Sequence, residues 1–394
     1  MKIALSDLRD VHFSTGTKAL YGNRLLMQLG FGMVSIFAPV FFYLNFGQSF
    51  AVVAFVYITL YALHLLFTPL SALLFRHFSL QRLMLIAVPL ALVGMLALAF
   101  FEYGPWFFVT VHIFLIAVYK ALYWVPYHVD FSLFADTKQR GKQMSILLNL
   151  SSIIAVITPL IAGAIIATFG FSAAFAFSAV FFALSMIPLL SVPPTREVFE
   201  YSFLESFQKL FSKEHRPILL GYIGDGAQTV VTAVIWPVFI FLLLDQQYVT
   251  AGFVTAVTIV AIMAIRFLTG DLFDRWSKEK TLTFSAVLLT TGWIVKVFVE
   301  SAFQIFLVDT YHQAGRAMSR VSIDATTYEQ AADNGHYVDE FTVLKEMSLN
   351  IGRILMLTLI AFTVAAVSIK FAFIAAALAA LLVTVLNKRI HVSA

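Results

Sequence analysis

The sequence predicts an all-α membrane protein with twelve transmembrane helices in two six-helix bundles, and three observations carry this prediction. Of 394 residues, 60% are apolar and 12% are charged, whereas soluble globular domains carry about 25% charged residues. Residues 25–75 contain no Asp, Glu, Lys or Arg, and neither do residues 145–195. Each stretch is long enough for two helices of about 20 residues, the length that crosses a hydrocarbon core. Both runs are continuously apolar, which favours helices over the alternating strands of a membrane barrel.

Turn and charge signals divide the chain into twelve apolar segments, which we predict to be the spans. Their predicted bounds are 22–45, 49–75, 83–101, 105–129, 143–168, 171–192, 217–244, 249–270, 281–299, 301–320, 342–367 and 370–387. The charged N-terminal residues are followed by no apolar core with a small-residue cleavage site, so we expect no signal peptide.

The distribution of basic residues predicts the orientation. With the N-terminus inside, the predicted inner segments hold 20 Lys and Arg residues and the outer loops hold one, Lys370. Because Lys and Arg are enriched in cytoplasmic loops, this asymmetry predicts cytoplasmic termini and a multi-pass protein of the inner or plasma membrane. The other five basic residues lie within spans: Lys120, Arg266, Lys296, Arg316 and Arg353. Lys296, one turn from Glu300, is expected to snorkel to the outer interface.

The longest inner connection lies between the sixth and seventh spans and divides the chain in two. We predict an N-terminal six-helix bundle at 1–192, a cytoplasmic linker at 193–216 and a C-terminal six-helix bundle at 217–394. Apolar residues recur at helical spacing from Phe203 to Phe211 amid charged ones. That pattern predicts an amphipathic helix at the membrane surface.

A loop after the eighth span carries a family signature. Gly270 is followed four and five positions later by Asp274 and Arg275, and then by a basic cluster. This segment resembles the loop signature of the major facilitator superfamily (MFS), and residues 158–163 are similar to the antiporter signature of that family's fifth span. The resemblance implies the MFS fold and a secondary transporter that works by alternating access around a central cavity. It also implies a cytoplasmic gate, to which we assign Gly270, Asp274, Arg275, Arg76, Asp130 and Arg320.

Ionisable and polar side chains within the spans are the candidates for a binding site, because such groups are costly at membrane depth and usually functional. The candidate substrate- or proton-binding residues are His64, Lys120, Trp124, Asp225, Gln228, Asp309, His312, Arg316, Glu346, Asn350 and Arg353. Asp309, His312 and Arg316 lie at i, i+3 and i+7 and therefore share one helix face. They form either a protonatable pair with an arginine anchor for substrate, or an ion-pair network that only holds helices together.

Several pairings stay open at this point. An Asp309–Arg353 pair would be either a switch that protonation breaks or a static bridge, since an opposite charge stabilises the ionised carboxylate. Asp225 either lines the solute path or pairs with Arg266. Lys120 is either an anion contact or a lysine that pairs two helices, and His64 is either a ligand contact or an interhelical polar group.

The motifs that the sequence lacks exclude several functions. It has no phosphate-binding loop, dinucleotide fingerprint, zincin motif or nucleophile elbow, and no cysteine, so we expect no enzyme activity, no cofactor and no metal. No basic face concentrates charge, so nucleic acid is not an expected partner. We expect a monomer whose partners are the lipid bilayer, a small-molecule substrate and protons. The predicted function is proton-coupled export by antiport. The alternatives are a symporter or uniporter for import, and a lipid translocator or non-transporting scaffold.

Overall fold

The protein is described by a computed structural model that covers residues 13–134, 140–273, 276–333, 338–364 and 367–386. Within these ranges every regular element is a helix. The helices are α1 (Thr15–Gly32), α2 (Ala38–Asn45), α3 (Phe50–Leu73), α4 (Leu80–Ala99), α5 (Pro105–Phe134), α6 (Arg140–Leu189), α7 (Phe203–Leu210), α8 (Arg216–Val230), α9 (Trp236–Leu243), α10 (Tyr248–Phe273), α11 (Lys278–Lys296), α12 (Ala302–Asp333), α13 (Val338–Thr363) and α14 (Lys370–Leu382). Helix α7 coincides with the predicted amphipathic helix of the linker.

Each predicted span contains a helix, and six helical stretches of the described chain are long and apolar enough to cross a membrane. These stretches are Phe50–Arg76, Leu80–Ala99, Pro105–Phe131, Ile146–Leu189, Leu219–Leu243 and Tyr248–Arg266. The fourth contains two predicted spans, which meet at Gly170, where φ is 80°. Glycine adopts this left-handed conformation without steric cost, so the helix can be interrupted there. The number of twelve crossings and the orientation stay predictions.

Two spans are interrupted where the sequence predicts continuous helices. The first is divided into α1 and α2, and Pro39 lies in the first turn of α2, where its missing N–H would have no helical partner anyway. The seventh is divided by a π-helical turn at Val231–Ile235, and Pro237 lies in the first turn of α9 that follows. A proline ring clashes with the carbonyl four residues earlier, which explains why the helix opens at this point.

The first compact unit comprises residues 1–35 and 66–200. In it α1 packs on α6, and α4 packs on both α5 and α6. The second unit comprises residues 36–65 and 201–394. In it α8 packs on α13 and α14, α11 packs on α12 and α14, and α10 packs on α12.

Residues 36–65 belong to the second unit, although they fall within the predicted N-terminal bundle. Helix α2 packs against α9, and the rings of Phe37 and Tyr248 lie 6.0 Å apart, edge to face. Edge-to-face pairs of this kind add to the apolar burial that holds α2 in place. The predicted division at 192 and 217 stays a prediction.

Glycines allow α8 and α13 to touch at the backbone. A Cβ atom at Gly226 would lie 2.2 Å from the carbonyl oxygen of Leu349, and one at Gly352 would lie 2.1 Å from the carbonyl oxygen of Ile223. Small residues permit this approach between membrane helices. The two helices therefore cross with their backbones in contact at these glycines.

Two acids are buried at the start of α13, before the predicted span. Asp339 is 3% exposed and Glu340 is 1% exposed. Burial, together with the neighbouring Glu340 carboxyl group, raises the pKa of Asp339 well above its usual value of 3.8. The folded protein therefore keeps a proton on Asp339 that the unfolded chain releases, and stability from this group is lost as pH rises above that usual value.

Asp339→Asn is expected to raise the melting temperature of the purified protein, and to do so more at about pH 8 than at about pH 5. The slope of the free-energy difference is at most about 1.4 kcal/mol per pH unit for one group. Thermal unfolding in detergent at the two pH values measures it, with the exposed Glu102→Gln as a control. An equal difference at both pH values would contradict the raised pKa.

Candidate functional site

A buried ion pair joins α11 and α12. The Nζ atom of Lys296 lies 2.8 Å from Oδ1 of Asp309, and the Lys296 side chain is 0% exposed. The ammonium also lies 3.9 Å from the ring centroid of Trp236 and 4.6 Å from that of Trp293. The expectation that Lys296 snorkels to the interface is therefore wrong. Its side chain turns inward because a carboxylate and two indole faces compensate the desolvation of the charge.

His312 lies beside this pair on α12. It is 0% exposed, and its ring centroid is 4.6 Å from that of Trp293. Among the described residues, neither ring nitrogen of His312 has a hydrogen-bonding partner. Buried polar groups are nearly always bonded, and an exception at a candidate site indicates a group that is free to exchange a proton or bind water.

A cavity lies between α8 and α12, close to the ion pair. Nε2 of Gln228 donates to Oδ1 of Asp225 at 3.2 Å, and Oε1 of Gln228 accepts from Nε1 of Trp293 at 3.3 Å. Gln228 thus connects the cavity to the aromatic rings around Lys296. In this conformation the space measures about 10 Å³, which is room for about one water molecule. Its lining includes Asp225, Gln228, Thr229, Arg316, Ser319 and Arg320.

A second polar network joins α3 and α13. Nδ2 of Asn350 donates to Nδ1 of His64 at 3.0 Å, and Nη1 of Arg353 donates to Oδ1 of Asn350 at 2.8 Å. The Arg353 guanidinium also lies 5.1 Å from the centroid of the Tyr61 ring. Of the three candidates on α13, Asn350 and Arg353 are in contact, whereas Glu346 is partly buried and takes no part in these contacts.

Two of the pairings that the sequence left open are not formed among the described residues. Asp309 pairs with Lys296 rather than with Arg353, because Lys296 reaches the same carboxylate from the neighbouring helix α11. Asp225 does not pair with Arg266, whose side chain is exposed on α10. Asp225 instead contributes to the cavity that it shares with Arg316. Of the residues predicted for the site, Asp225, Gln228 and Arg316 share this cavity, whereas His64, Asn350 and Arg353 form a separate network.

In the first unit, Trp124 lies in a cluster of aromatic rings on α5. Tyr119, Tyr123 and Tyr127 stack in succession, with ring centroids 5.5 and 5.6 Å apart, and the guanidinium of Arg24 lies 4.7 Å from the Trp124 ring. Lys120 is partly buried on the same helix. The sequence alone does not single out Arg24, because it counts as an inner charge. The feature that could have identified Arg24 as a site residue is its position in the first turn of a predicted span.

Predicted gate residues of the first unit hold the segment that follows α6. Nη2 of Arg76 donates to the carbonyl of Phe199 at 3.1 Å. The Thr195 hydroxyl donates to the buried carboxylate of Asp130, and the Thr195 carbonyl accepts from the backbone N–H of Leu80 at 3.0 Å. These contacts bind residues 195–199 to the ends of α3, α4 and α5.

The other gate residues are on the second half of the chain. Gly270 lies near the end of α10. Arg320 is exposed and contributes to the cavity described above. Asp274 and Arg275 lie outside the described residues.

A helical multi-pass membrane protein with charged side chains buried beside a polar cavity has the features of a solute transporter. A family model described as Major Facilitator Superfamily matches residues 20–322, which is well over half of the 394-residue chain. The chain belongs to the major facilitator superfamily and is a secondary transporter. This match confirms the resemblance that the loop at Gly270 indicates. No curated protein matches the sequence.

Proposed function

We propose that the protein exchanges protons for a small organic solute, and that Asp309 is the residue that carries the proton. The observation that supports this best is the buried contact of 2.8 Å between Lys296 and Asp309. Protonation of Asp309 removes the charge that attracts Lys296, so the ion pair no longer stabilises the contact between α11 and α12. The contact thus has a paired and an unpaired state, and a proton gradient can shift the balance between them.

His312 supports the same assignment. It shares the Trp293 ring with Lys296, and its ring nitrogens have no partner in the described chain. An imidazole in this position can relay a proton to or from Asp309, because one of its ring nitrogens accepts a proton while the other donates one. Asp309 and His312 then act as one protonatable pair.

Contacts connect the proposed proton site to the cavity. Trp293 packs against Lys296 and donates to Gln228, and Gln228 in turn donates to Asp225 in the cavity. We expect Trp293 to shift when Lys296 is released from Asp309. That shift would change the hydrogen bond from Trp293 to Gln228. Binding of solute and binding of a proton would therefore influence each other, as exchange requires.

We further propose a direction of solute transport and a set of contacts that close the cytoplasmic side. The similarity of residues 158–163 to the antiporter signature favours exchange and export over import. The bundles at 1–192 and 217–394 would rock about the linker as the site opens to either side. Contacts of Arg76 and Asp130 with residues 195–199 would hold the cytoplasmic side of the first bundle, and the loop after Gly270 would do so in the second.

Asp309→Asn is expected to abolish gradient-driven accumulation of solute and to retain solute–solute exchange, because the variant still binds solute but exchanges no proton. A thermal-shift screen of metabolites and drugs first identifies a ligand of the purified chain. The labelled ligand is then added to proteoliposomes with an acidic or an alkaline interior. Exchange predicts accumulation in acid-inside vesicles, since outward proton flow drives inward solute flow.

The exposed Asp245→Asn serves as the matched control and should leave accumulation unchanged. Protein-free vesicles correct for passive entry. Accumulation in alkaline-inside vesicles would indicate symport, and flux without dependence on the gradient would indicate a uniporter. Either result overturns the proposal, as does full gradient-driven flux in both Asp309→Asn and Asp225→Asn.

A further inference from the structure

Arg316 is a charged side chain for which the described part of the chain offers no bonding partner. It is partly buried on α12, and no described residue forms a hydrogen bond or an ion pair with its guanidinium. Charged groups at membrane depth are usually paired with one another. A guanidinium that contributes to a cavity and has no such partner indicates that the partner is a ligand.

Ser319 points to a ligand independently of Arg316. Its side chain is 2% exposed and contributes to the same cavity, yet its hydroxyl has no hydrogen-bonding partner among the described residues. A buried hydroxyl without a partner costs about 1–3 kcal/mol. Arg316 and Ser319 lie three residues apart on one helix, so their side chains are neighbours on the same face.

The balance of charge around Arg316 selects the class of ligand. The charged groups that act on its guanidinium are Asp225, Arg320, Asp309 and Arg353. Of the two acids, Asp309 is already neutralised by a lysine at 2.8 Å, so within the described part of the chain Asp225 is the unneutralised carboxylate that acts on Arg316.

Even without Arg320, Arg316 and Arg353 together carry two positive charges against that one carboxylate. Arg353 does not satisfy the deficit, because its bonding partner is the neutral amide of Asn350. Among the described residues, the groups around Arg316 therefore carry more positive than negative charge.

We propose that the transported solute is a small organic anion, and that Arg316 and Ser319 bind its oxyanion group in the cavity between α8 and α12. This inference rests on the proposed transport function and names its substrate class. The planar guanidinium donates two parallel N–H bonds to a carboxylate or a phosphate, and the Ser319 hydroxyl donates a third bond. Gln228 and Thr229 line the same space and supply polar contacts to the remainder of the molecule once the site opens.

The test compares probes that differ only in charge. The melting temperature of the purified full-length chain is measured with benzoate, benzamide, benzylamine and phenyl phosphate, and with an aliphatic series of the same four types. The oxyanions are expected to stabilise the protein, whereas the amides and amines do not. The carboxylate and phosphate arms show which oxyanion fits better. A shift with the amines or amides equal to that with the acids overturns the proposal, as does a series without any oxyanion shift.

Three variants test the residues. Arg316→Gln is expected to weaken oxyanion binding about 10- to 100-fold and Ser319→Ala about 3- to 10-fold, the range for charged and neutral hydrogen bonds. Asp225→Asn is expected to retain or strengthen binding, because it removes a repulsive charge. The exposed Arg82→Gln is the control. Unchanged affinity in Ser319→Ala, which should fold normally, together with weaker binding in Asp225→Asn, would identify a zwitterion or cation instead.

The two proposals fail in different ways. Oxyanion binding that depends on Arg316, without gradient-driven flux, would overturn proton exchange and leave the substrate class intact. Gradient-driven exchange of a neutral or cationic solute would overturn the substrate class and leave proton exchange intact.

Discussion

Lys296→Met is expected to destabilise the protein by about 3–5 kcal/mol, because it leaves the buried Asp309 carboxylate without its ionic partner. The double variant Lys296→Met with Asp309→Asn is expected to recover most of this loss. The neutral pair needs no compensation for buried charge, and the Met side chain still packs between Trp236 and Trp293. Thermal unfolding of the single and double variants in detergent gives the coupling between the two residues.

A lysine outside the site provides the control for this cycle. Lys213→Met replaces an exposed lysine of the linker region and should leave the melting temperature nearly unchanged. If Lys296→Met were as mild as Lys213→Met, the ion pair would contribute little to the fold. If the double variant were no more stable than the single one, the loss would come from packing of the lysine stem rather than from charge.

Gly352→Ala is expected to prevent correct packing of α8 on α13 and to reduce the yield of folded protein severely. The added methyl would lie 2.1 Å from the carbonyl oxygen of Ile223, which is backbone and cannot rotate away. Overpacking of this kind typically costs about 1–3 kcal/mol, and more where helices must separate. Gel filtration of the detergent-solubilised chain and its melting temperature measure the effect.

Gly104→Ala is the matched control, because the nearest atom to its new methyl lies at 3.8 Å, an ordinary contact distance. The same experiment should show normal yield and stability for this variant. Normal packing of Gly352→Ala would mean that α8 and α13 do not approach each other as closely as described. Gly226→Ala tests the same crossing from the opposite helix, since its methyl would lie 2.2 Å from Leu349.

The membrane class and the positions of the helices could be predicted from the sequence because they depend on local composition. In stretches without charge, such as residues 25–75, the backbone polar groups can form their hydrogen bonds within lipid only in helices or closed barrels. The interruptions at α2 and at the π turn could not be predicted in the same way. Pro39 and Pro237 are visible in the sequence, but whether a proline kinks, breaks or merely begins a helix depends on its neighbours.

The site residues could be chosen from the sequence because charge is costly in lipid. Their bonding partners could not be predicted in this way. Residues such as Asp309, Arg316 and Arg353 stand out because they lie inside apolar segments. Helix spacing shows which residues share a face, but the rotation of one helix against another decides which charges meet. Lys296 illustrates this limit, because it lies near a predicted outer end and a long side chain can reach in either direction.

The π turn at Val231–Ile235 has a consequence for how the seventh span can serve two neighbours. Successive residues of a regular helix are rotated by about 100°, so one additional residue within a turn displaces everything beyond it around the axis. Trp236 consequently reaches Lys296, while Asp225 and Gln228 on the preceding segment line the cavity. Such a wide turn has weaker internal hydrogen bonding than the segments on either side of it, and is frequent at functional sites. The π turn therefore allows the two segments of the seventh span to face different neighbours.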